Sequence, residues 1–335
     1  MTVEKVHRFR ELFSKAQEKI GDLSFWEKFC LLIDASWEKY RHGTAREDYF
    51  QYEFYKKNNR GRREFITHGR SSEIHSICND SEKSKIFVDK DLFAQVFKDF
   101  IGRDILDLHT VSYEEFSIFC SNHEKAFKKP RGGTYGKGVG IISLTEIKNP
   151  RDLYDDLRKE DVLLEEVIIQ HPSLAAFNPT SLNSMRVVTI LGADGVPEIM
   201  PGAVLRVGRK GRVADNFHHY GIASQIDIQT GMVCSTGIDK NGNRYVVHPD
   251  VGVPIIGFVV PMWDEICNTV LAAAKIVPEV RFIGWDVAVT KDAKVVLIEG
   301  NNRADPDVGQ MSDGIGKWHF YEKKVTEIKN MKEGK

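Results

Sequence analysis

Gly284-Trp285-Asp286-Val287-Ala288-Val289-Thr290, Lys291-Asp292-Ala293-Lys294 and Val295-Val296-Leu297-Ile298-Glu299-Gly300-Asn301 run consecutively. The outer stretches read as two β-strands rich in β-branched residues, and the middle one as a tight turn. A two-residue loop on Asp292-Ala293 would set Asp286 directly opposite Glu299. Opposed residues share a face, with Cβ atoms about 5 Å apart. Asn301, two residues further on, points to that same face. Two carboxylates and an amide then converge with no lysine obliged to neutralise them. A divalent cation is the usual compensation, and an all-oxygen set suits Mg²⁺ bound together with phosphates.

A second signal lies upstream, Lys129-Pro130-Arg131-Gly132-Gly133-Thr134-Tyr135-Gly136-Lys137-Gly138-Val139-Gly140. Glycines let a loop expose backbone N–H groups and approach phosphate oxygens closely. The loop is neither of two familiar glycine fingerprints. A Walker A loop ending on Gly136-Lys137 would need Gly at 131 and Ser or Thr at 138, where the chain has Arg131 and Gly138. A Rossmann turn from Gly138 would need Gly or Ala where Ser143 stands.

Working outward, residues 1–80 read as helical and rather polar, with an amphipathic helix at Phe25–Trp37. An aromatic and then basic stretch, YFQYEFYKKNNRGRR, follows from Tyr49. Residues 86–119 read as a short strand (IFV), a helix (DKDLFAQVFKDFIG) and a second strand–helix pair. Asn149-Pro150 starts a helix. Asp161–Ile169 is a strand entering a connection. Strands dominate from Ser184 to Gly300, with turns at Asp194-Gly195, Thr230-Gly231 and Asn241-Gly242 and one helix at about Met262–Ile276. The lysine-rich tail after Trp318 reads as frayed.

Four elements, taken in order, resemble the ATP-grasp superfamily, the fold of D-alanine–D-alanine ligase and glutathione synthetase. Asp89-Lys90 followed by Phe93 resembles the first lysine, at a helix start. Lys129-Pro130 with the glycine loop resembles the second lysine and the phosphate-covering loop. Leu164-Glu165-Glu166-Val167-Ile168 resembles the hinge strand whose backbone reads adenine. Asp286, Glu299 and Asn301 resemble the magnesium site. More narrowly, Ser181–Thr189 (SLNSMRVVT), Pro201–Val207 (PGAVLRV), Asp215–Ala223 (DNFHHYGIA) and IGWDVAVT resemble the sugar-transfer-associated branch. Two departures stand out. The region before residue 80 looks helical rather than α/β, and the acid that commonly holds the ribose is replaced by Gln170-His171-Pro172.

The resemblance implies an α/β (α+β) fold with two α+β subdomains clasping ATP. Their expected limits are a helical region at 1–80, a small subdomain at 81–165, a large one at 166–318 and a charged tail at 319–335. It also implies residue roles. Lys90 and Lys129 neutralise phosphates, and Gly132, Gly133, Gly136 and Gly138 cover them. Glu165, Glu166, Val167 and Ile168 line the adenine, and Gln170 stands in at the ribose. Asp286, Glu299 and Asn301 hold magnesium, two ions being expected. Arg186 and Arg206, with Asn216, stabilise charge on the transferring phosphoryl group or on an oxyanion. The implied reaction is ATP-dependent ligation of a carboxylate to an amine-type nucleophile through an acyl-phosphate, in surface-polysaccharide or peptide-like biosynthesis. A small-molecule or sugar kinase and a non-catalytic ATP-binding protein are the alternatives.

Bulk properties agree with a globular enzyme. The 335 residues are 41% hydrophobic and 28% charged, with net charge −1. Such balance gives no reason to expect nucleic acid as a partner. Cys30, Cys78, Cys120, Cys234 and Cys267 are widely spaced and form no CxxC pair, as in a reducing compartment. The charged start MTVEKVHRFRELF is not read as a secretory signal, and no apolar run reaches membrane-spanning length. A cytoplasmic protein is expected, acting on a small-molecule or glycan carboxylate without membrane insertion, and able to be a homodimer. His218-His219 make a poor zinc chelate on a strand, Cys120 and His123 lack a third catalytic partner, and Asp239–Asn243 reads as a turn rather than a calcium loop.

Overall fold

The computed structural model describes residues 20–130, 139–145, 147, 149–211, 215, 217 and 220–334. It contains two antiparallel sheets. The smaller runs β1 (Ile105–Asp107), β4 (Val162–Glu166), β2 (Lys125–Pro130), β3 (Gly140–Ser143). Helices Tyr113–Asn122 and Pro150–Lys159 pack on it through Phe116, Phe119, Tyr154 and Leu157, closing a small core around Ala126 and Leu164. Both helices carry their own start signals. Ser112 and Glu115 form a capping box, and Asn149 caps the second helix with Pro150 in its first turn.

The larger sheet has eight strands. Along its main path lie β10 (Arg244–Tyr245), β9 (Gly237–Ile238), β8 (Ile222–Gln225), β7 (Val204–Val207), β5 (Ser184–Leu191), β11 (Phe282–Val289) and β12 (Val295–Asn301), with β6 (Pro197–Ile199) paired to β5. Strand alternation separates its two faces. Met185, Val187, Leu205, Ile283, Trp285, Val287 and Leu297 face the main core, against Ile266, Val270 and Ala273 of helix Trp263–Ala273. The opposite face is apolar at one end, where Val188, Ile190 and Phe282 meet two helices, and polar at the other.

Several local expectations change. Ile86-Phe87 lies in a 3₁₀ turn, Lys83–Phe87, instead of a strand. Phe87 instead packs its ring near Phe97 and Trp285. The helix after it breaks at Phe97 into Lys90–Val96 and Lys98–Ile101. Phe93, Phe97 and Ile101 belong to the core of the large sheet, so this segment packs with the large unit although it precedes the small sheet. The tail is a helix, Trp318–Glu333, that buries Tyr321, Val325 and Ile328. Their helical spacing puts all three on one stripe against Ile74 and Cys78 of helix His68–Cys78. The aromatic run in the N-terminal region is likewise internal, with Tyr49, Phe50, Tyr52 and Phe54 buried. No helix among the described residues is long and apolar enough to cross a membrane.

Candidate active site

The polar end of the large sheet gathers the site. Arg186 on β5 pairs with Asp286 on β11, and Asp286 with Glu299 on β12. Arg206 on β7 pairs with Ser184 on β5. The opposition of Asp286 and Glu299 matches the sequence reading, but the hairpin reaches it by another route. Thr290 N–H donates to Lys294 O at 2.8 Å, leaving a three-residue loop with Ala293 left-handed at φ 57°. That loop alone would offset the pairing by one residue. The register then shifts between Asp286 and Val287, a β-bulge at Ile298 that restores the offset. The bulge also reverses faces. Leu297 stays in the core opposite Val287, and Glu299 turns to the polar face beside Asp286.

Asp286 is not left uncompensated, as the sequence reading had it. Arg186 and Arg206 close on it from the neighbouring strands. Arg186 bonds both carboxylate oxygens, with Nη2 2.9 Å from Oδ2, and Arg206 Nη2 lies 2.8 Å from Oδ2. Burial alone would raise the Asp286 pKa, but the two guanidiniums outweigh it and hold the carboxyl well below the usual range. Gly284 makes the room. A Cβ there would sit 2.4 Å from Ala304 Cβ and 3.2 Å from Arg186 Cδ. Glu299 opens to solvent, yet the walls around it, and then the charge of Asp286, raise its pKa. Asn301 Nδ2 donates to Glu299 Oε1 at 3.1 Å. The two guanidiniums fill the lone pairs of Asp286 Oδ2, while Asp286 Oδ1 and the Glu299 carboxylate keep lone pairs beyond these bonds. The oxygen-rich set Asp286, Glu299 and Asn301 therefore fits a hard cation such as Mg²⁺.

Two lysines face this set from the small sheet and the first core helix. Lys90 opens helix Lys90–Val96, whose N-cap is Asp89, and its Nζ donates to Pro130 O at 2.7 Å. Burial first, and then the charge of Lys129, lower the Lys90 pKa, while Glu299 and Glu165 pull it back. An anion placed between the lysines would relieve their repulsion, which fits a polyphosphate. Lys129 Nζ lies 2.8 Å from Glu165 Oε1. Glu165 is buried, and its Oε2 accepts from both Lys129 Nζ and Arg103 Nε at 2.9 Å. Burial pushes Glu165 up, yet Lys129 and Arg103 together hold it below the usual range. Its side chain thus positions Lys129 and does not line a base. Arg103 also donates to Leu297 O at 2.7 Å and Ile298 O at 3.2 Å, tying β4 to the bulge.

The segment expected as the hinge leaves β4 at Glu166, whose N–H bonds Asp104 O at 2.8 Å. Val167 and Ile168 are half-buried as the chain crosses to the large sheet. Gln170 is an inward clamp. Its Nε2 donates to Asn178 O and Ser181 O, and its Oε1 accepts from Asn183 N and Nδ2. Every bonding position of the amide is used, so the expected ribose contact has no atom to make it. Gly132, Gly133, Gly136, Gly138, Asn216, His218 and His219 lie outside the described residues. His123 Nε2 sits 2.9 Å from Asp104 Oδ2.

Sequence reasoning missed Arg103, Ser184 and Asp215. Asp215 is half-buried against the site, accepting from Ser184 N at 2.8 Å and from its hydroxyl, and loss of water around it raises its pKa. It stands in the stretch already noted at 215–223, so a search for buried acids beside Arg206 would have found it. Arg103 has no motif around it to mark it.

Residues 69–325 match the model of the sugar-transfer associated ATP-grasp family, and the chain belongs to that family. Among solved structures it is similar to the ATP-grasp ligase PsnB complexed with minimal precursor, at 15% identity over 68% of this chain and 56% of that one, TM-score 0.42. It is also similar to D-alanine–D-alanine ligase from Bacillus anthracis complexed with ATP, at 13% identity over 77% and 71%, TM-score 0.46. Biotin carboxylase from Campylobacter jejuni matches at 16% identity over 76% and 48%, TM-score 0.48. The chain spans little more than half the length of the PsnB chain. A comparison with curated protein sequences finds no match.

Proposed function

We propose that this protein is a Mg-ATP-dependent ligase that activates a carboxylate as an acyl-phosphate and passes it to an amine-type nucleophile, releasing ADP and phosphate. The observation that carries the reading is the convergence of two phosphate-compatible lysines, Lys90 and Lys129, on an oxygen-donor set, Asp286, Glu299 and Asn301, backed by two half-buried arginines. ATP supplies the phosphoryl group, and Mg²⁺ draws charge off its oxygens. The chain's residues do the rest. Lys90 and Lys129 act as point charges on the phosphates. Residues 166–168 offer backbone to the adenine. Glu299, Asn301 and Asp286 hold the metal.

Arg186 and Arg206 present guanidinium N–H groups beside Asp286, placed to receive a substrate carboxylate or the oxyanion that forms when the nucleophile attacks. A carboxylate on a glycan or on a peptide-like molecule is the substrate class that fits the family's association.

The test is Mg-ATP turnover with a pool of carboxylic acids and hydroxylamine as the trap. ADP formed together with a hydroxamate is the expected result and identifies the acid. ADP with a phosphorylated small molecule and no hydroxamate would make the enzyme a kinase. Absence of nucleotide binding by calorimetry would overturn the reading altogether.

A further inference from the structure

Three side chains able to ligate a metal meet at the edge of the small sheet. Asp104 leads into β1, His123 ends helix Tyr113–Asn122, and Glu166 ends β4. One ligand atom from each, two carboxylate oxygens and an imidazole nitrogen, lie within 4.8 Å of one another. Strand alternation puts Glu166 on the opposite face of β4 from Glu165, which holds Lys129. The group is therefore separate from the lysines and the Asp286 set.

Backbone and packing aim these side chains. Glu166 N–H donates to Asp104 O at 2.8 Å, and Asp104 N–H donates back to Glu166 Oε2 at 3.2 Å. The second oxygen of Glu166 stays open. The His123 ring rests on Phe119, with centroids 4.5 Å apart, and its Nε2 lies 2.9 Å from Asp104 Oδ2. Neither Asp104 nor Glu166 forms an ion pair with a described lysine or arginine. Arg103, next in sequence to Asp104, is turned to Glu165 instead. Two negative charges thus share one imidazole.

The imidazole decides which ion suits the group. Mg²⁺ and Ca²⁺ prefer oxygen alone, whereas a histidine with two carboxylates suits Zn²⁺ and its transition-metal neighbours. Ligand atoms around a tetrahedral Zn²⁺ stand about 3.4 Å apart. His123 and Asp104 are already closer than that, and a turn of the exposed Asp104 carboxylate brings in Glu166. Three protein ligands leave a fourth position for water. Cys120, one turn before His123, packs against the core of the small sheet and takes no part.

We propose that Asp104, His123 and Glu166 bind a divalent transition-metal ion of the Zn²⁺ class. The ion clips together the entry to β1, the end of the helix that follows it and the exit of β4. β1 is an edge strand of three residues, so the clip holds the weakest side of the small sheet. An ion that binds only the folded chain stabilises it by mass action. The site is independent of the ligase reading, whose metal rests on other side chains.

The experiment is calorimetry of the full chain with zinc chloride, without nucleotide and with excess Mg²⁺ to occupy oxygen-only sites. One equivalent should bind with a micromolar Kd, and Zn²⁺ should raise the melting temperature. His123→Ala should weaken binding by about tenfold or more and remove the thermal shift. Asp104→Asn, at an exposed position, should repeat the loss if His123→Ala fails to fold. His109→Ala is the control, because His109 faces Asp161 at 2.9 Å in a pair without a third ligand. It should bind Zn²⁺ like the wild type. Wild-type binding no tighter than millimolar would overturn the proposal. Undiminished binding in the His123 and Asp104 variants would place the ion elsewhere, on a thiol such as Cys120, and would overturn it as well.

Discussion

Glu165 shows how a single buried charge sets two others. Its carboxylate meets Lys129 through both oxygens and Arg103 through one, so neither cation wanders. Glu165→Gln keeps the shape and removes the charge, leaving both cations without it. Breaking a buried pair in this way costs about 3 kcal/mol. The folded pKa lies below the unfolded value of about 4.3. Glu165 therefore contributes its full stability above that pH and loses it as pH falls towards its folded pKa. Urea denaturation of both proteins across pH should show a constant gap near neutrality that shrinks below about pH 4. A gap that stays flat down to acid pH would refute the charge argument. Two functional substitutions belong to this scale. On the proposed metal site, Glu299→Gln removes a charged donor and should abolish ATP turnover in a protein that still folds, as assayed by ADP release and circular dichroism. Lys129→Ala should lower nucleotide affinity by about tenfold or more, and calorimetry showing wild-type affinity would remove Lys129 from the site.

At the scale of elements, the hairpin of β11 and β12 explains what the sequence could and could not say. Asp286 opposite Glu299 was legible because β-branched runs and a short polar turn announce a hairpin. The three-residue loop was not, because nothing but the φ of Ala293 distinguishes it from a two-residue one. The bulge at Ile298 was equally hidden, since it depends on core packing at Leu297. The two unseen offsets cancel, so the right pair emerged from an incomplete path. Arg186 and Arg206 were expected at the site, but their closing on Asp286 was not, for a related reason. They come from β5 and β7, which the sequence does not place beside β11. Ala293 pays a left-handed penalty of roughly 1–2 kcal/mol, against roughly 0.5–1 for the flexibility of glycine. Ala293→Gly should therefore stabilise the protein by about 0.5 kcal/mol with turnover unchanged, as read by thermal denaturation. Destabilisation would show that the loop relies on the alanine methyl.

For the whole molecule, the flanking helices complete the sheet's second face. Helix Trp318–Glu333 covers Val188, Ile190 and Phe282 together with helix His68–Cys78. Its lysines disguised it as a tail, because a three-residue apolar stripe is a weak signal in a run of charge. Asn79 adds a polar tie from the end of helix His68–Cys78, donating to Phe282 O at 2.9 Å and Asn302 O at 2.7 Å. Ile328→Ala should cost about 3 kcal/mol, measured by urea unfolding, and an effect near zero would mean that the helix is not docked in solution.

The position of Arg103 has a mechanical consequence. One guanidinium grips the acid that steadies Lys129 and also grips the backbone at the bulge that aims Glu299. Any rocking of the small sheet over the large one must turn about that grip, as a lever turns about its fulcrum. Lys129 and Glu299 both sit a short arm from it. A wide swing at the outer edge of the small sheet would therefore become a fine adjustment between Lys129 and Glu299.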